Sequence, residues 1–223
     1  MLQAPSNMLT SKSPDAALFR LGRKPDPWTP PDWSRAQPDG TFGNRFDDPL
    51  GNYRVLYAAS QRVSCFVETL ARFRPDLSLV AELQTIDGED DFTPLGTVPI
   101  GWCDARVMGE ADVKGKYADI YSASWLSHLR TLLAKDCMAL GIADLDDSVL
   151  QQGDPRRLTQ LASLVVNEAE FDGVFYRSRY GHDLENWALF EPFGIGSQKP
   201  PAEVNLQDRD LQAACHFLGL SIT

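Results

Sequence analysis

Between Arg23 and Asn52 the chain reads RKPDPWTPPDWSRAQPDGTFGNRFDDPLGN, which holds six of its 15 prolines. Proline locks φ and removes a backbone donor, and clustered Gly and Asp favour turns. The stretch therefore supports neither a regular helix nor a central strand. A connection this long inside a compact chain is functional more often than idle. Its aromatic residues Trp28, Trp33 and Phe42 are expected to pin it to the body. Any fold for this chain must accommodate a long irregular excursion between a first strand and a second.

The elements around that loop follow from periodicity. ALFRLG (17–22) reads as a short strand with Arg20 inside it. YRVLYAAS (53–60) reads as a buried strand, and QRVSCFVETLARF (61–73) as an amphipathic helix with Val63, Phe66, Val67 and Leu70 facing the core. Alternation predicts a half-buried strand over 77–85. Short strands and turns are expected between Gly88 and Lys116. A helix over 121–141 should end at Gly141, and another over 154–171 has Asp154 as cap and Pro155 in its first turn. DGVFYRSRYG and ENWALFEPF read as two strands. The order mixes α and β without strict alternation, which places the chain in the α+β class. Three segments are expected: a flexible lead-in over 1–15, a main domain over 16–195, and a linker with a helical extension over 196–223.

Bulk properties exclude some functions. The formal net charge is −10 with 31 acidic and 21 basic residues, which argues against a general nucleic-acid binder. Clustered arginines can still set a local field for a small anion. The four cysteines lie far apart without paired spacing and read as reduced core thiols; the three histidines form no ligand pattern, so no metal is implied. The N-terminus lacks the form of a signal peptide and no stretch approaches a membrane span. A soluble, cytoplasmic protein is expected, and a homo-oligomer is compatible with it.

Five polar residues stand out: Arg20 inside the first strand, Arg45 in GNRFDDP, Tyr57 in the apolar VLY, Glu68 on the border of the helix core stripe, and Ser178 in YRSRYG. Singly, each has an ordinary explanation. Glu68 can pair with Arg72 one turn on, and Arg45 with Asp47 or Asp48. Tyr57 can be a buried aromatic with a satisfied hydroxyl, and Ser178 an inconsequential strand serine. No G-x-G-x-x-G run lies between a strand and a helix, and neither a G-x-S-x-G elbow nor a phosphate-binding Gly-Lys-Ser/Thr loop is present.

In combination these residues resemble a known family. FR in a first strand, G-x-R-F-D-x-P in a loop, LYAAS in a strand, ETL in the next helix and a late Y-x-S-R strand resemble the RES domain, over about residues 17 to 192. The resemblance implies an ADP-ribosyltransferase-like mixed sheet flanked by helices. It implies cleavage of the nicotinamide–ribose bond of NAD+ by phosphorolysis or hydrolysis, with ADP-ribosyl transfer to a protein acceptor, or a non-catalytic interaction module, as alternatives. It also implies a toxin held by a helix-turn-helix (Xre-type) antitoxin. NAD+ would be a substrate rather than a redox cofactor, with inorganic phosphate as a candidate co-substrate. Glu68, Tyr57 and Arg45 would be catalytic, and Arg20, Arg45, Tyr57 and Ser178 would bind the dinucleotide. The chemistry suits these residue types. Glycosidic cleavage develops positive charge on the ribose, which a carboxylate stabilises, and guanidinium forks match a diphosphate.

Overall fold

A computed structural model of the chain describes residues 9–75, 77–78, 96–152 and 156–223. Strand β1 (Ser11–Lys12) leads to β2 (Leu18–Arg23). The Pro-rich loop follows and contains one short 3-10 turn, Trp33–Arg35. Strand β3 (Val55–Ala59) and helix α1 (Arg62–Leu70) come next, close to where the apolar pattern puts them. Then come β4 (Thr97–Val98), β5 (Arg106–Val113) and β6 (Tyr117–Asp119). The expected strand over 77–85 lies almost wholly outside the described residues, as do Asp154 and Pro155.

The helix expected over 121–141 is two helices, α2 (Ala123–Leu132) and α3 (Ala134–Ala139). Leu133 leaves the helical region at φ −96°, ψ 12°. Neither Gly nor Pro marks the break. Leu129, Leu133 and Cys137 all pack into one core across it. Helices α4 (Asp147–Gln152) and α5 (Arg156–Glu168) precede the hairpin of β7 (Gly173–Ser178) and β8 (Gly181–Phe190). The C-terminal segment holds β9 (Ile195–Gln198), β10 (Ala202–Glu203), α6 (Arg209–Leu218) and β11 (Ser221–Ile222).

The sheet runs β1-β6-β7-β8-β3-β2-β5-β10, with β9 also on β5. Among these pairings β6 with β7 is parallel and the rest are antiparallel, so the sheet is mixed and the class is α+β. Side chains alternate across a strand. In β3 that sends Leu56 and Ala58 to a core with Trp28, Phe175 and Trp187, while Val55 and Tyr57 face the core under α2 to α5. Trp28 pins the loop as expected. Trp33 is 40% exposed and packs at a tilt against Phe42, with ring centroids 5.5 Å apart.

The C-terminal segment is built into the body. Leu211, Ala214, Cys215 and Leu218 of α6 share a core with Phe66, Val67 and Leu70 of α1. Asp208 caps α6 through the amides of Asp210 and Leu211, and Gly219 closes it in the left-handed region at φ 66°, a backbone state that glycine adopts without a Cβ clash. All four cysteines are buried and unpaired. Among the described residues no helix is long and apolar enough to cross a membrane.

Candidate functional site

Register brings the first half of the site together. In the β3–β8 ladder Tyr57 faces Ala188 and Ala59 faces Asn186; in the β7–β8 ladder Asn186 faces Tyr176. Tyr57, Asn186 and Tyr176 therefore share one face of the sheet. Helix α1 lies over that face. Ser64 and Glu68 are one turn apart on it, and both reach the same partner. The Ser64 hydroxyl donates to Asn186 Oδ1 at 2.8 Å, and Asn186 Nδ2 donates to Glu68 Oε1 at 3.1 Å. Ser64 and Asn186 are buried. One Glu68 oxygen is thus oriented from behind by a fixed amide, and the other makes no hydrogen bond among the described residues. The pairing of Glu68 with Arg72 does not form. Arg72 instead lies over the Phe73 ring at 4.9 Å.

The irregular loop delivers the second half. A loop without a ladder must satisfy its amides by other means, and two buried aspartates do this. Asp47 Oδ2 accepts from the amides of Phe42 and Asn44 at 2.9 and 2.8 Å; Asp48 accepts from those of Leu50 and Asn52. Both carboxylates serve the loop's amides, Asp47 also accepting from the Asn44 side chain at 3.3 Å and the Tyr57 hydroxyl at 3.4 Å, and Arg45 pairs with neither. Gly43 sits at φ 76°, where a Cβ would also come within 2.6 Å of Gln37 Nε2. Phe46 is fully buried, and its amide donates to the Tyr57 hydroxyl at 2.9 Å.

That anchoring turns Arg45 inward. Its Nη2 donates to the Leu150 carbonyl at 2.7 Å and to the Tyr121 hydroxyl at 3.2 Å. The guanidinium lies 5.2 Å from the ring centroids of both Phe46 and Tyr176, and its buried Nε has no partner. Burial acts to lower its pKa, yet Tyr121, Tyr176 and Glu68 carry it above the ordinary value. Burial lowers the Arg20 pKa to about 10, which still leaves a full charge at neutral pH. Arg20 is partly structural. Its Nε donates to the Pro27 carbonyl at 2.7 Å and its Nη1 to the Tyr57 carbonyl at 2.6 Å.

Arg45, Tyr57 and Glu68 line one open cleft of about 430 Å³, with Arg72, Arg156 and Arg179 on its walls. An adjoining recess of about 80 Å³ is lined by Arg20, Tyr57, Glu68, Tyr176 and Asn186. Four guanidiniums and one carboxylate face the larger cleft of a chain whose net charge is −10. Burial holds the Tyr57 and Tyr176 phenols well above the ordinary tyrosine value, so both stay neutral. Ser178 lines neither space, although Tyr176, Arg179 and Tyr180 beside it line the cleft. It is fully buried at the β7–β8 turn, and its hydroxyl accepts from the Tyr180 amide at 3.1 Å. Trp125 and Trp187 are core residues. Among the described residues no group of three or more His, Cys, Asp or Glu side chains is placed to hold a metal ion.

The sequence reading missed Asn186, Tyr176 and the outer arginines. Asn186 left no clear signal, since it follows Glu185 at the polar start of the apolar run Trp187–Phe190. The outer arginines left none, because exposed guanidiniums are ordinary until the fold gathers them.

The family model of the RES domain matches residues 17–210. The chain belongs to the RES domain family. The match runs past the β7–β8 hairpin, through β9 and β10, to the start of α6. No match was found among curated proteins. Among solved structures this RES chain is similar to a chain of the M. tuberculosis MbcT–MbcA toxin–antitoxin complex, with a TM-score of 0.54 and 11% identity, covering 95% of this chain and 92% of that one. At that identity the likeness is one of fold.

Proposed function

We propose that this RES protein cleaves the nicotinamide–ribose bond of NAD+. The observation that carries the proposal is Glu68, held from behind by Asn186, facing a cleft that also presents Tyr57 and Arg45 and is otherwise cationic. In the reaction the C1′–N bond breaks and its electron pair leaves with nicotinamide. That leaving group is neutral and needs no proton, so one carboxylate suffices where an ordinary glycosidase uses two. The ribose becomes cationic as the bond lengthens. Glu68 stabilises that charge through the oxygen that Asn186 does not use, and a preorganised carboxylate does so without reorganising.

Tyr57 presents an aromatic face to the nicotinamide ring. Its hydroxyl is tied to the Phe46 amide and stays protonated, so it positions and does not exchange protons. Arg45 and Arg20, with the wall arginines, match the diphosphate, for which a guanidinium fork is better suited than an ammonium. Water or inorganic phosphate then takes the ADP-ribosyl group. Ser178 acts at one remove, by fixing the turn that carries Arg179 and Tyr180. Family membership and the fold likeness to a toxin–antitoxin complex support a toxin restrained by an antitoxin.

The test is direct. Purified protein with NAD+ should release nicotinamide, and chromatography with and without phosphate identifies the acceptor. Adenine-labelled NAD+ should yield small-molecule product; label in protein would indicate transfer instead. Glu68→Gln should fold normally and lose at least about a hundredfold in kcat. Intact turnover in that variant would remove Glu68 from the chemistry.

A further inference from the structure

A groove of about 780 Å³ leads from Tyr57 and Thr69 past Arg20, Arg23 and Arg106. The β2–β5 register sets Arg23 directly opposite Arg106. Like charges facing each other across a ladder repel, and such a pair destabilises a sheet. Arg72, in the turn that ends α1, adds a third charge. After burial, Arg72 and then Arg23 hold the Arg106 pKa below its ordinary value. Arg106 does not swing clear of them. Its Nη1 donates to the Trp102 carbonyl at 2.6 Å, and its guanidinium lies 4.1 Å from the Trp102 ring centroid.

Among the described residues none of these three guanidiniums has an ion pair, whereas Lys24, Arg54 and Arg62 each do. The acids that line the groove are engaged in the loop's own turns. Asp26 accepts from the Trp28 amide and the Thr29 hydroxyl, and Asp32 from the Ser34 amide. Among the described residues, then, Arg23 and Arg106 face each other beside the cleft with no carboxylate between them.

We infer that Arg23 and Arg106, facing each other across the β2–β5 ladder, form a phosphate subsite next to the Tyr57–Glu68 cleft, on whose wall Arg72 lies. It takes a tetrahedral phosphate dianion, either free or as a monoester on the dinucleotide. A dianion cancels the mutual repulsion of the guanidiniums and presents oxygens in the geometry their forks match. The link to turnover rests on the NAD+ reading; the anion binding does not.

Thermal unfolding tests the subsite without any assay of activity. About 10 mM inorganic phosphate should raise the wild-type Tm by about 3 °C over chloride at equal ionic strength, as a ligand of millimolar affinity does. Arg23→Gln/Arg106→Gln should lose that rise, read against its own Tm in chloride because the Trp102 contacts of Arg106 are lost with the side chain. Arg23→Gln alone, at an exposed position, serves if the double variant misfolds, and should lose at least half of the rise. An equal rise in wild type and variants overturns the proposal.

Kinetics then separate the sources. If the dinucleotide carries the phosphate, the NADP+ to NAD+ ratio of kcat/KM falls about tenfold in the variant. If the phosphate is free, that ratio holds and phosphate stimulation of NAD+ loss drops about tenfold instead. A protein inactive on both dinucleotides that keeps the wild-type phosphate shift sinks the NAD+ reading and leaves the subsite standing.

Discussion

Glu68 sits at the end of a relay of side chains, and its behaviour depends on the relay. Asn186 joins Ser64 to Glu68 inside the protein. Asn186→Ala strands a buried hydroxyl and frees a carboxylate that must be fixed to act. We expect a loss of about 1–3 kcal/mol of stability and a fall of about tenfold in kcat with little change in KM, measured by urea unfolding and steady-state kinetics. A fall in stability alone would leave Asn186 structural. Buried titrating groups make a second prediction. Burial raises the pKa of all four thiols, to about 12 for Cys65. An unfolded thiol loses its proton near pH 8.5 and the folded one keeps it, so the unfolded state binds fewer protons and stability falls as pH rises. Tyr57 and Tyr176 add to the loss as pH 10 is approached. The urea midpoint should hold between pH 7 and 8 and decline between about 8.5 and 10. Above that Arg20 titrates and acts in the opposite sense.

At the scale of elements, helix α1 carries Glu68 and is held from outside by α6. Arg62 of α1 pairs with Asp208 and Asp210, though partly exposed ion pairs contribute little. The apolar contact matters more. Leu211→Ala should cost about 2–5 kcal/mol, read by urea unfolding, while kcat of the folded fraction holds. A loss under 1 kcal/mol would make α6 an appendage. Much of this level was legible in the residues. The apolar stripe of α1 and the Pro-rich loop lie where pattern and turn chemistry put them. The break at Leu133 was not legible, because nothing in its own side chain opposes a helix. The anchoring of the loop by Asp47 and Asp48 was also hidden. An aspartate that accepts from amides two to five positions away reads in sequence like one offered to the neighbouring Arg45.

Across the whole molecule, a cationic cleft is set in an anionic body. Such a field draws an anionic substrate and weakens as salt screens it over about 10 Å at 0.1 M. Raising ionic strength from about 50 to 500 mM should therefore raise KM for NAD+ several-fold and leave kcat little changed. A KM indifferent to salt would mean that the wall arginines do not bind the dinucleotide.

The sequence by itself determined the α+β class, the irregular loop and the residue types suited to an anionic, aromatic, glycosidic ligand. Those properties are local, written in spacing and turn chemistry within a few residues. Only the tertiary structure decided that Glu68 leans on Asn186, 118 positions away. It also buried Ser178 at the end of β7 and set Arg23 opposite Arg106 with no counterion among the described residues. Such contacts join residues far apart in the chain. They leave no period and no motif, and the packing of helices onto the sheet is what creates them.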